Sequence, residues 1–177
     1  MINSADIKRL KKDTLCEIYS GDDLSHFNVG RFMFECDGFV YFCSYNKYGE
    51  YDGIMAFEDS SVVSVKENTK YLKCIEKMIE TQNEEAEIFC FSDYKLYSVL
   101  TEIKNNGLVC ELGLDFLGDG CNNGYIDEVN EGAACIKVKY LNEYGEFDGE
   151  EIISVSNIVY FAVGTKDARK LQTLNKG

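Results

Sequence analysis

Eight cysteines and one histidine are the residues of this 177-residue chain best suited to metal binding or nucleophilic catalysis. The thiols are Cys16, Cys36, Cys43, Cys74, Cys90, Cys110, Cys121 and Cys135. Two thiolates are brought to one zinc ion by a short C-x-x-C loop, and no pair here has that spacing. The only histidine, His26, cannot complete a His-paired ligand set. Cysteines flanked by apolar residues, as in Phe89-Cys90-Phe91 and Ala134-Cys135-Ile136, behave as small hydrophobes. The sequence therefore predicts buried, reduced thiols, with no disulfide, metal or cofactor implied. A nucleophilic cysteine needs a neighbouring base or positive field, and His26 lies beside Phe27 and among acids.

Carboxylates are the other chemical resource. The hexapeptide Tyr48-Gly-Glu-Tyr-Asp-Gly53 recurs as Tyr144-Gly-Glu-Phe-Asp-Gly149. Asp-Gly suits the positive φ angles of a tight hairpin, so turn geometry accounts for the glycines and aspartates. It does not account for the tyrosines. Tyr48, Glu50, Asp52, Tyr144, Glu146 and Asp148 are therefore the candidate binding residues, since loops on a rigid scaffold often carry function. Repetition would give two equivalent prongs. A second stretch, Asp119-Gly-Cys-Asn-Asn-Gly124, begins like a calcium loop. Cys121 stands at its third position, however, and Asn130 stands where a bidentate glutamate belongs. A strand-initiating turn fits it better.

Charge weighs on the choice of partner. The chain holds 31 acids against 18 bases, a net charge of -13. Residues 13–67 carry eleven acids and three bases, and residues 107–164 carry eleven acids and two bases. A nucleic-acid strand would meet like charge on either segment. The 23 tyrosines and phenylalanines thus belong in a core rather than on a base-stacking face. Basic residues gather at the ends, Lys8, Arg9, Lys11 and Lys12 at one, Lys166, Arg169, Lys170 and Lys176 at the other. They make either solvated helix faces or docking contacts to acidic surfaces. No apolar run reaches membrane-spanning length, and MINSADIKRLKKD lacks a signal peptide's apolar core, which together predict a cytoplasmic protein.

The elements that must position these residues come in two sets. Held at an offset of 96, residues 46–78 and 142–174 are identical at ten positions, where chance gives about two. Leu15-Cys-Glu-Ile18 matches Val109-Cys-Glu-Leu112 at an offset of 94, as Gly30 matches Gly124. Two units follow, residues 1–83 and 84–177. Each reads as a helix, five short strands and a closing helix. Ile7 and Leu10 mark the first helix of the first unit. Leu96, Val99, Leu100 and Ile103 form the apolar stripe of its counterpart, with Ser92 as N-cap and Asn106-Gly107 as stop. Aromatic and β-branched runs predict strands near 14–20, 28–36, 39–45, 54–58 and 62–66. The second set lies near 108–113, 123–129, 133–141, 150–154 and 158–163. Closing helices start at Thr69 and Thr165, the first with Tyr71, Leu72, Ile75, Met78 and Ile79 on one apolar face. Ala86–Phe91 reads as an extra strand. With 45 % apolar and 28 % charged residues the chain can bury a core, which excludes disorder.

A helix followed by five short strands, the long second one bent at Gly30, resembles the small Sm-like barrels. Ile153-Ser-Val-Ser-Asn-Ile-Val-Tyr160 is similar to the last two strands of an Sm domain, and Phe57–Ser64 is a looser match. The resemblance implies a mainly β fold with flanking helices, built as two tandem Sm-like β-barrels. It does not extend to the family's RNA site. Cys36-Asp37-Gly38 is followed by aromatics instead of an asparagine. Asp59-Ser60 and Val155-Ser156 replace the Arg-Gly pair. The chain also looks like small bacterial proteins with a GxxDG barrel turn, a likeness that implies no activity.

These readings predict a non-catalytic binding or scaffolding protein whose partner is another protein or a second copy, not a nucleic acid or a membrane. Two alternatives stay open. One is nucleic-acid binding through the Sm-like architecture. The other is a hydrolase using carboxylates such as Asp52 and Asp148.

Overall fold

A computed structural model of the chain describes residues 9–21, 25–82, 90–114 and 121–176. The chain divides into two compact units, Met1–Phe89 and Cys90–Gly177. The boundary drawn from the sequence, between 83 and 84, lies outside the described residues. The fold is mainly antiparallel β-sheet with flanking helices.

The first unit runs β1 (Leu15–Ser20), β2 (Asn28–Cys36), β3 (Phe39–Tyr45), β4 (Tyr51–Glu58) and β5 (Val62–Glu67), then helix α1 (Lys70–Thr81). Its strands lie in the order β5-β1-β2-β3-β4. Asp37 and Gly38 both take positive φ, 55° and 78°, and close a two-residue hairpin in which Cys36 faces Phe39. Their backbone twist matches that of the flanking strands, which is why this Asp-Gly pair is a turn and not a recognition motif. Gly30 has no room for a side chain, because an added Cβ would lie 2.5 Å from Met55 Cε and 2.8 Å from Phe42 Cβ. Ile18, Val40, Tyr41, Phe42, Ile54, Met55 and Phe57 are buried. Phe42 meets Phe32 and Phe57 edge to face, at 5.8 and 6.2 Å, the arrangement ring quadrupoles favour.

Thr69 caps α1, its Oγ1 accepting from Leu72 N at 3.1 Å. Leu72 and Ile75 pack with Leu15 and Val29, and Ile79 packs against that cluster. Tyr71 and Met78 do not join them and are exposed, so the buried stripe is narrower than the sequence implied. Arg31 on β2 bridges to Glu76 on α1 at 3.0 Å, so here the base is on the sheet and the acid on the helix.

The second unit runs α2 (Leu96–Asn105), β6 (Val109–Leu114), β7 (Cys121–Asn130), β8 (Cys135–Leu141), β9 (Phe147–Ser154), β10 (Ile158–Val163) and α3 (Lys166–Asn175). Its strand order is β10-β6-β7-β8-β9. Leu96, Val99, Leu100 and Ile103 are buried, as the helical period requires. Ser92 is not the N-cap. That position is Lys95, and the Ser92 backbone N–H and hydroxyl both donate to Glu102, at 3.0 and 2.7 Å. Asn106-Gly107 does stop the helix, with Gly107 at φ 57° and its N–H on Lys104 O. Thr165 caps α3, and Ala168 and Leu171 pack with Val109 and Leu141.

Several expectations are corrected. The strand-initiating turn expected at residues 119–124 is already strand where it is described: residues 121–124 lie in β7, with Asn123 and Gly124 paired with Glu111 and Cys110 of β6, and residues 119 and 120 lie outside the described residues. Leu10 lies in a bend, not a helix, and Ile7 lies outside the described residues. So does most of the expected strand at Ala86–Phe91, of which Phe91 is buried without strand pairing. Cys16 and Cys110 are buried, but Cys74, Cys90 and Cys121 are exposed, contrary to a uniform set of core thiols. Among the described residues, no helix is long and apolar enough to cross a membrane.

Candidate functional site

The repeated hexapeptides form the turns between β3 and β4 and between β8 and β9, and each turn is organised by the asparagine two residues before its tyrosine. Asn46 Oδ1 accepts the N–H of Tyr48 at 2.9 Å and of Glu50 at 3.2 Å. Its Nδ2 donates to Glu50 Oε2 at 2.7 Å, and its backbone exchanges bonds with Glu50 and Gly49. Asn142 repeats this with Tyr144 N–H at 3.0 Å, Glu146 N–H at 3.0 Å and Glu146 Oε2 at 3.2 Å. An asparagine whose side chain mimics a backbone turn fixes the loop without outside help. The sequence reading began each motif at its tyrosine and missed both asparagines. The signal was present, because Asn46 and Asn142 are among the ten identities.

The end of each closing helix locks its turn. Gly49, at φ 73°, lies under α1, where an added Cβ would sit 2.7 Å from Met78 Cβ. Gly145, at φ 78°, lies likewise under α3, 2.6 Å from Leu174 Cβ. Gln82 Nε2 donates to Tyr48 O at 3.0 Å, and Asn175 Nδ2 donates to Gly145 O at 2.8 Å. The Asp-Gly pairs prove not to be the hairpin tips. Asp52-Gly53 and Asp148-Gly149 lie within β4 and β9, at register shifts against β3 and β8, and Gly53 and Gly149 supply the positive φ of a bulge.

Of the six candidate residues, Glu50 and Glu146 therefore commit a carboxylate oxygen to their own turns. Asp148 is exposed on its bulge and Asp52 half-buried. Tyr48 is 60 % exposed and Tyr144 67 % exposed. Lys47 Nζ lies 5.1 Å from the Tyr48 ring centroid. The tyrosine rings are thus carried on rigid turns and are not used to build them.

Two further clusters were not legible as motifs. In the first unit, Glu17 is buried on β1 and accepts the hydroxyls of Tyr19, at 3.0 Å, and Thr69. Lys66 Nζ in turn donates to Tyr19 Oη at 3.1 Å, and this bond holds the lysine pKa up. In the second unit, Lys137 lies 2.8 Å from Glu150, whose hydrogen bond raises the lysine pKa. Lys139 lies 2.7 Å from Asp127, and that bond lowers the aspartate pKa. Tyr140 donates to Glu151 at 2.8 Å; burial first, then the carboxylate, pushes the phenol up. The Lys137–Glu150 and Lys139–Asp127 pairs form a short ladder of opposite charge on one face of β8. Among the described residues, no group of three or more His, Cys, Asp or Glu could hold a metal ion.

No family model, curated protein or solved structure matches the chain.

Proposed function

We propose that the protein is a non-catalytic, cytoplasmic binding module of two Sm-like units that recognises a protein partner through the tyrosines of its repeated turns. One observation carries this reading. In each turn the asparagine, glycine and glutamate have structural work, whereas Tyr48 and Tyr144 present most of their surface to solvent. A tyrosine gives a large, amphipathic contact at modest entropy cost, and a turn already locked by hydrogen bonds removes the ordering cost of binding. Support for the Sm-like architecture comes from the element order and the long second strand with its sterically required glycine. The acidity of both units disfavours nucleic acid.

The test is a double substitution, Tyr48→Ala with Tyr144→Ala, used as bait beside the wild type in extracts of the native host. Rings this exposed predict a stability change within about 0.5 kcal/mol. A partner recovered by the wild type should disappear with the variant. Strong destabilisation, or unchanged recovery, overturns the reading.

A further inference from the structure

Strands β4 and β9 correspond in the repeat but differ in what they expose. Ile54, Met55, Ala56 and Phe57 of β4 are all buried. At the matching places β9 has Glu150, Glu151, Ile152 and Ile153, of which Ile153 alone is buried. Ile152 is 70 % exposed, and Phe147, at the start of the strand, 62 %. Within its unit β9 ends the strand order, bonded to β8 on one side. Edge strands offer unpaired N–H and C=O groups, and proteins usually blunt them with charged side chains, proline or a bulge. The bulge of β9 is confined to its start. From Glu150 to Ser154 it pairs with β8 without a slip and contains neither lysine nor proline. A lone exposed isoleucine would need no explanation, but one on an edge guarded by acids alone, with an exposed phenylalanine on the same strand, leaves the edge open to a partner of opposite charge.

Charge selects the occupant. Glu143, Glu146, Asp148, Glu150 and Glu151 fall between residues 142 and 154 with no base among them, and among the described residues only Glu150 is matched by a base, Lys137, on the neighbouring strand. Pairing with the same strand of a second copy would bring acids against acids, and like charges across strands are destabilising. Glu150 and Ile152, two residues apart, share one face of β9, so a segment that carries basic and apolar side chains in turn along that face would set cations against Asp148 and Glu150 and apolar groups beside Ile152. We propose that the edge of β9 binds an extended lysine- or arginine-bearing segment of a partner protein as an added strand. Main-chain bonds would give affinity and alternate side chains specificity. This rests on the protein-binding reading above and adds a second surface to it.

The probe is a fluorescein-labelled octapeptide repeating Lys-Lys-Val-Val, which as a strand carries both residue types on each face, titrated into the full chain by fluorescence anisotropy. Binding should weaken with salt and fall about tenfold in Ile152→Lys and in Asp148→Lys, both at exposed positions. Lys73→Ala, at an exposed position of α1, should leave it unchanged, and because the assay uses a defined peptide and no host extract, its outcome is scored separately from the tyrosine test. Amide exchange should slow along β9 on binding. The proposal is overturned if the peptide does not bind, if a version with prolines replacing the valines binds equally, or if β9 exchange is unaltered. It is also overturned if light scattering shows a dimer that Ile152→Lys dissolves, which would make a second copy the occupant.

Discussion

The carboxylate of Glu17, on β1, accepts the hydroxyl of Thr69, the residue that caps α1. Thr69 Oγ1 thus bonds the Leu72 N–H and the carboxylate at once, joining the start of a helix to the sheet it covers. Tyr19 and Lys66 extend the chain of hydrogen bonds on the other side of Glu17. Burying a carboxylate is tolerated only when its oxygens are satisfied, and here each oxygen has a hydroxyl donor.

Thr69→Ala should therefore cost more than the loss of a cap. A cap alone is worth about 1 kcal/mol, and leaving a buried acceptor short of a donor adds about 1–3 kcal/mol. Urea melts should show a loss of about 2–3 kcal/mol. Thr69→Ser, which keeps the hydroxyl, should recover most of it. A loss no larger than the cap would mean that Glu17 finds another donor.

The two glycine pairs of the repeated segments predict different costs. Gly145→Ala places a Cβ 2.6 Å from Leu174 Cβ and 3.1 Å from Asn175 N while holding φ at 78°. Gly149→Ala meets nothing within 4 Å, although φ is 98°. The second change carries only backbone strain, about 1–2 kcal/mol, whereas the first must also move a helix end. Thermal melts should rank Gly145→Ala well below Gly149→Ala. Equal losses would show that α3 gives way without cost.

The strand reading matched closely because period-two runs of aromatic and β-branched residues end at Gly, Asp or Asn. The expected 28–36, 39–45 and 158–163 are the observed β2, β3 and β10. Starts of β4 and β9 were misread by three residues, since Asp-Gly serves equally in a hairpin tip and in a bulge, and local sequence does not distinguish them. The cap at Ser92 failed because the helix starts only at Leu96, too far along for Ser92 to cap, and Ser92 donates instead to Glu102, ten residues away. Exposure of Cys74, between Lys73 and Ile75, follows from its place on the outer face of α1. The tyrosines were singled out because turn chemistry, although it misplaced the Asp-Gly pairs and missed the asparagines, gave them no part. Ile152 was not, since a strand with the right pattern says nothing of whether another strand lies beyond it.

The last prediction concerns the equivalent thiols Cys16 and Cys110. Both are buried, on β1 and β6, and donate weakly to carbonyls, Thr14 O at 3.4 Å and Gly124 O at 3.5 Å. Burial, with smaller contributions from Glu67 and Glu111, pushes each up to about 12. Thiolate is the nucleophile, so at pH 8 iodoacetamide should modify exposed Cys74, Cys90 and Cys121 first and these two last. Mass spectrometry of timed digests reads the order. The same shift affects stability. The folded state holds these protons to higher pH than the unfolded chain does, so the contribution is whole below about pH 8.5 and is lost as pH rises towards 12. Cys16→Ala with Cys110→Ala should lower stability at pH 7 through lost packing but flatten its decline above pH 9. A decline equally steep in the double variant would place its origin in other groups, and early labelling of Cys16 or Cys110 would mean that β1 or β6 opens locally.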